Sequence, residues 1–232
     1  QYKNMSKPIL HGYFYDGDPL DFNKHLVTPL HALPLATIIT LSASGSERSD
    51  SCVISDRMHH FKGGFNSVTN YPLFSLEDPS LTFSVPPYQL GCGLADRFSH
   101  SFERYCSPSH ELEPCDGLAL SIRKSIVSIT KRVLAKADDR EAKRARRICG
   151  SLSHDGFANF GKKKLFIVHK AEHRLSGKYP DLVHGQGIAL LMPSYLEENE
   201  AKLEEKIILL GKEVFGVTGS AKDAIAALKA WL

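Results

Sequence analysis

A change of text at Pro86-Pro87 constrains this chain more than any other feature. Before it run short apolar segments broken by Gly, Pro, Asp and Ser. After it the apolar residues follow helical spacing. Residues 36–41 (ATIITL) are β-branched and continuous, the pattern of a buried strand. Residues 51–55 (SCVIS) and 72–76 (PLFSL) read as further strands, and Tyr15-Asp16-Gly17-Asp18 reads as a turn. Beyond the prolines, Leu118, Ile122, Ile126, Ile129 and Val133 recur at intervals of three and four. They form one face of an amphipathic helix, with Asp116 placed to cap its start. Residues 138–147 (DDREAKRARR) read as the solvated face of a helix rather than as a nucleic-acid patch. Two more helices are predicted over 197–211 and 220–232, parted by the breaker Gly216-Val217-Thr218-Gly219 and with Ser220 as the second cap.

Composition narrows the class. The 232 residues allow one large domain or two small ones. A hydrophobic fraction of 42% with 24% charged residues excludes a wholly disordered or collagenous chain. The formal charge of +3 gives no argument for nucleic-acid binding. Five cysteines, an odd number with no Cys-x-x-Cys, support neither a disulfide framework nor a zinc ribbon and read as reduced thiols of a cytosolic protein. The apolar run 187–193 (GIALLMP) is far short of the ~20 residues of a membrane span. No signal peptide is visible, and a first residue other than Met leaves open a start inside a longer protein.

Eleven histidines are the first hint of chemistry. Asp96 and His100, four apart, share one face of a helix and could grip one cation, with Glu103 a turn further on as an outer acceptor. A capping or surface pair is the plainer alternative. His169 and His173 are also four apart, a spacing that chance supplies readily in a His-rich chain. Glu172 precedes the second His, so this is not the zinc-protease pattern. His184 opens Val-His-Gly-Gln-Gly, whose glycines leave the backbone accessible to a ligand or another element; a buried, backbone-bonded His is the alternative. One carboxylate and three imidazoles suit Fe(II) or Zn(II), but spacing alone does not bring the two segments together. The small, hydroxyl-rich loop Ser42-Ala43-Ser44-Gly45-Ser46-Glu47 follows the first strand; it reads as a phosphate-facing turn or as a turn only.

Taken in order, these residues resemble the iron-dependent (group III) alcohol dehydrogenases, butanol dehydrogenase-like branch. Residues 35–47 (LATIITLSASGSE) resemble the family's strand and Ser-Gly-Ser-Glu loop. Asp78-Pro79 with Thr82 and Pro86 resembles a second segment. Gly93, Asp96, His100, Glu103 and Tyr105 resemble its metal helix, and His169 through Pro193 its second histidine segment. The resemblance runs from about Tyr13 to the end.

The resemblance implies an α/β fragment of a dinucleotide-binding domain followed by an all-α metal-binding domain, the dehydroquinate synthase-like architecture. The boundary would divide residues 1–85 from 86–232. It implies Asp96, His100, His169 and His184 as ligands of Fe(II) or Zn(II), His173 as a further catalytic residue, and Thr40, Ser42, Ser44, Ser51, Lys62 and Thr82 as positions facing NAD or NADP. The implied reaction interconverts a primary alcohol and an aldehyde in the cytoplasm, in a homodimer, with neither nucleic acid nor membrane as partner. The family's phosphate-binding glycines are not found, Asn4 and Pro8 depart from its pattern, and one extra residue lies between Tyr179 and His184. The chain is expected to lack the start of the cofactor domain and the last helices. A shortened, non-catalytic metal-binding remnant and a metal-dependent hydrolase or lyase are the alternative readings.

Overall fold

The computed structural model describes residues 20–24, 31–108, 113–136 and 139–232. The turn expected at Tyr15-Asp16-Gly17-Asp18 lies outside them. A single helical turn, α1 (Leu20–Asn23), precedes four short strands: β1 (Ala36–Ile38), β2 (Ser51–Asp56), β3 (Phe61–Asn66) and β4 (Phe74–Leu76). Helices follow: α2 (Pro87–Cys106), α3 (Glu113–Ala135), α4 (Arg140–His154), α5 (Ile167–Lys178), α6 (His184–Glu198), α7 (Glu200–Leu210) and α8 (Ala221–Trp231), with a π-helical turn at Gly211–Phe215. No described helix is long and apolar enough to cross a membrane.

The strands form two pairs. β1 and β4 run parallel, Ala36 opposite Phe74 and Ile38 opposite Leu76. β2 and β3 make an antiparallel hairpin registered from Ser51 opposite Asn66 to Asp56 opposite Phe61. Its turn is shaped by Asp56, whose carboxylate accepts the Met58 N–H at 2.9 Å. The hairpin buries Cys52, Ile54 and Phe65 against Phe22, whose ring stacks on Phe65 at 5.2 Å. β1 ends three residues earlier than the apolar run 36–41, and β4 starts two residues later than expected. Period-2 alternation turns Thr37 inward and leaves Ala36, Ile38, Phe74 and Leu76 exposed on the outer face.

The helical layer is built around α2. Pro87 starts it, where a missing N–H costs nothing. From Gly93 to Cys106 every residue is buried, which makes α2 the central helix, packed by α3, α4 and α6. Leu94, Phe98 and Phe102 supply its apolar contacts. Asp139 caps α4 by accepting the Ala142 N–H at 2.8 Å, and Ser220 with Asp223 forms a capping box on α8 as the residue types predict. Asp116 does not cap α3. That helix begins at Glu113, and the Asp116 carboxylate pairs with Lys162 and, at 3.0 Å, with Lys206.

The basic run on α4 is a solvated face only in part, at the exposed Arg140, Glu141 and Arg144. Lys143, Arg146 and Arg147 are buried. Arg147 donates from Nη2 to the carbonyls of Ile39 and Asp78, tying α4 to the ends of both parallel strands. The Lys143 ammonium lies 4.2 Å from the Phe83 ring centroid. Arg146 has no such service: none of its three guanidinium nitrogens has a hydrogen-bond partner among the described residues. Burial, then the neighbouring Arg147, lowers its pKa to about 10. An unpaired buried cation is destabilising by about 1–3 kcal/mol or more. Arg146→Met is therefore expected to raise the thermal midpoint by several degrees, whereas Arg147→Met lowers it. A calorimetric scan of both variants checks this, and a fall for Arg146→Met would show that its guanidinium is satisfied.

Candidate metal centre

Three of the four expected residues, Asp96, His169 and His184, bring their ligand atoms together, and His100 approaches Asp96 alone from the next turn of α2. α2 carries Asp96 and His100 one turn apart on the same face, α5 carries His169, and His184 is the first residue of α6. Two glycines bring α6 in. A Cβ on Gly185 would lie 2.1 Å from the Cys92 carbonyl oxygen, and one on Gly187 would lie 2.8 Å from Glu172 Cγ. Only glycine allows α6 to start this close to α2 and α5. The opening after His184 thus admits other helices.

Asp96 Oδ1 is the focus. The Nε2 atoms of His100 and His169 lie 3.4 Å from it, and that of His184 lies 3.5 Å away. The facing atoms of Asp96, His169 and His184 all lie within 4.8 Å of one another. Among the described residues, Asp96 Oδ1, His169 Nε2 and both ring nitrogens of His100 are buried without a hydrogen-bond partner. Asp96, His169 and His184 form a set that fits a divalent cation, and His100 offers a further nitrogen beside the same carboxylate oxygen. The His100 and His169 rings stack with centroids 4.4 Å apart.

The charges follow from the packing. Burial acts to raise the Asp96 carboxyl, but His100, His184 and His169 overcome it and hold it far below the carboxylate range. Burial pushes His100 well below the ordinary imidazole value, against the pull of Asp96. Burial acts to lower His169 too, yet Glu103 and Asp96 raise it to about 9.

A second ring of groups aims the imidazoles. His169 Nδ1–H donates to Glu103, which also accepts the backbone N–H groups of Val168 at 2.8 Å and His169 at 3.1 Å. Glu103 therefore orients the ring and satisfies the start of α5, which has no cap from its own Phe166. His184 Nδ1–H donates to Glu172, a fully buried carboxylate. Glu103 was legible as an outer acceptor. Glu172 was visible only as the residue before His173, although His-x-x-Glu places it one turn from His169. His154 was missed altogether. Its ring packs edge-on against His100 at 4.4 Å and its Nε2 lies 2.6 Å from Ser49 Oγ. No local pattern marks it, because it ends a charged helix.

The remaining expected residues are more scattered. His173 borders the centre, its ring 5.4 Å from His184 and 6.4 Å from His169. Burial, then His184 and Lys62, holds it well below the ordinary imidazole value. Thr40 is exposed just beyond β1, and Ser44 and Ser51 are half-buried. Ser42 is buried where α2 and α4 meet: its Oγ would lie 2.9 Å from a Cβ on Gly150. Thr82 is buried, and its hydroxyl donates to Pro79 within its own turn. The ammonium of Lys62, expected to meet cofactor oxygens, is engaged by Ser176 at 2.8 Å and Glu172 at 3.2 Å.

Known proteins resemble this chain in sequence and in fold. Residues 92–232 match the family described as "Fe-containing alcohol dehydrogenase family, C-terminal". The chain is 37% identical over 216 residues to NADH-dependent butanol dehydrogenase A of Clostridium acetobutylicum, covering 92% of this chain and 55% of that one. It is 25% identical over 203 residues to an NADPH-dependent aldehyde reductase of Escherichia coli, covering 85% of this chain and 52% of that one. The crystal structure of NADH-dependent butanol dehydrogenase A from Thermotoga maritima superposes with a TM-score of 0.90 at 29% identity, over 94% of this chain and 56% of that one. The chain thus spans about half the length of the relatives it matches. Its architecture is a partial dinucleotide-binding fragment followed by an all-α region. With its helical half matched from Cys92 to Leu232, the chain belongs to the Fe-containing alcohol dehydrogenase family.

Proposed function

We propose that Asp96, His100, His169 and His184 hold one Fe(II) or Zn(II), and that the chain serves a cytoplasmic enzyme interconverting a primary alcohol and an aldehyde with NAD or NADP. The observation that carries this reading is the approach of three imidazole nitrogens to within 3.4–3.5 Å of a single buried carboxylate oxygen. Bound there, a divalent cation supplies a Lewis acid for the substrate oxygen. Asp96 provides the fixed negative charge, and Glu103 and Glu172 hold two of the rings. The buried walls of α2 and α5 exclude water from the reacting atoms. His173, beside His184, is placed to take up a proton at its ring and pass it outward. The boundary at 85/86 separates the part bearing the cofactor-facing residues from the part bearing the ligands. Thr40, Ser44 and Ser51 keep side-chain surface for a cofactor, whereas Ser42 and Thr82 are buried.

Elemental analysis of anaerobically purified protein is expected to find about one Fe or Zn per chain, lost in Asp96→Asn and in His184→Ala. Full occupancy in His184→Ala would remove that ligand. His173→Ala is expected to keep the metal and to slow a nicotinamide-linked butanol/butanal assay, and unchanged turnover would remove His173 from the reaction. Metal without any turnover in the unmodified chain would assign it the binding step alone, and turnover without nicotinamide would favour a hydrolase.

Metal affinity should depend on pH with a definite sign. His169, raised to about 9, carries a proton at neutral pH that a cation at Nε2 must displace. Apparent affinity in chelator competition is expected to rise from pH 6 towards about 9 and then level off. A flat profile would mean that this ring is already neutral.

A further inference from the structure

We propose that Lys62 is a positioning residue for the metal centre: from strand β3 it holds Glu172, and through Glu172 it fixes the ring of His184. This inference rests on the metal reading above and extends it to the hairpin, which contributes none of the four ligands.

Of the three imidazoles, His184 is the most exposed. His100 and His169 are buried within their helices, with side chains 6% and 8% exposed. His184 opens α6, lacks a side-chain cap before it, and is 23% exposed. Its Nδ1–H is held by Glu172. That carboxylate is itself fully buried and needs a counter-charge. Lys62 Nζ provides it at 3.2 Å, donates to Ser176 Oγ at 2.8 Å, and lies 3.4 Å from His184 Nδ1. Ser176 in turn donates to the Glu172 carbonyl at 3.2 Å. The ammonium therefore sits among the Glu172, His173 and His184 side chains, a group that could otherwise hold a second cation.

The backbone is arranged to deliver this ammonium. A Cβ on Gly177 would lie 2.8 Å from the His60 carbonyl oxygen and 3.1 Å from the Lys62 nitrogen. Glycine at 177 lets the start of β3 rest directly on the end of α5. From there the lysine stem runs to Glu172 with its side chain only 10% exposed.

The sign of the effect separates a positioning role from a simple charge effect. A lysine that acted only as a nearby positive charge would repel a divalent cation, so removing it would tighten binding. A lysine that positions His184 would weaken binding on removal, as loss of an outer partner does, by about 10–100-fold.

The test is Co(II) affinity by chelator competition, with the visible Co(II) absorption band as a reporter of ligand geometry, on the full chain. Lys62→Met is expected to bind Co(II) about 10–100-fold more weakly with an altered band, and Lys62→Arg to recover part of both. In a Glu172→Gln background, Lys62→Met should add little, because the chain of contacts is already cut. Should Lys62→Met fail to fold, Ser176→Ala removes one acceptor of the same ammonium and is expected to weaken binding by a smaller factor. Equal or tighter binding by a folded Lys62→Met with an unchanged band, or unchanged binding by Ser176→Ala in its place, overturns the proposal alone. No Co(II) binding by the unmodified chain overturns the metal reading and this proposal together.

Discussion

A carboxylate oxygen in the middle of a buried helix organises this molecule. Asp96 is 3% exposed, far from any solvent that could stabilise its charge. Burial of that kind is tolerated only when opposite charge or strong donors converge on it. Here the convergence comes from three separate helices, so stabilising one oxygen aligns α2, α5 and α6. The outer carboxylates repeat the same logic at one remove. Glu103 serves both the His169 ring and the bare first turn of α5, and Glu172 serves His184. The centre and the helix packing are thus one arrangement.

Close backbone approach is what makes that arrangement possible. Gly185 against Cys92 and Gly177 against β3 are positions where a single methyl group would force two elements apart. Both stand beside a residue of the centre or of its outer partners, so the small residues set distances that the larger side chains then use. Backbone freedom plays no part at these two sites. Steric absence does.

Much of this was legible in the sequence, and the limits follow physical lines. Spacings of three and four place Asp96 with His100 and His169 with His173 on single helix faces, because an α-helix turns those intervals into neighbours. Ser220 announces the start of α8 for a similarly local reason. That α2 meets α5 and α6 is a tertiary fact; only the ordered resemblance to a family pointed to it. Glu172 and His154 escaped notice because their partners are distant in sequence. The basic run on α4 was read correctly only at Arg140, Glu141 and Arg144. Charge density suggests solvent, yet Lys143, Arg146 and Arg147 lie inside, where a carbonyl pair and an aromatic face receive two of them. Asp116 looked like a cap because the helix was read as starting later than it does.

The placement of Arg147 bears on how the molecule comes apart. One guanidinium group, carried by a helix, closes the carbonyls of Ile39 and Asp78 at the ends of the parallel pair. Peeling the strands from the helices would break both of these bonds and bring water to a guanidinium that the fold keeps dry. One side chain thus ties the strand layer to the helical layer, and a local opening that frees either strand end must first release it.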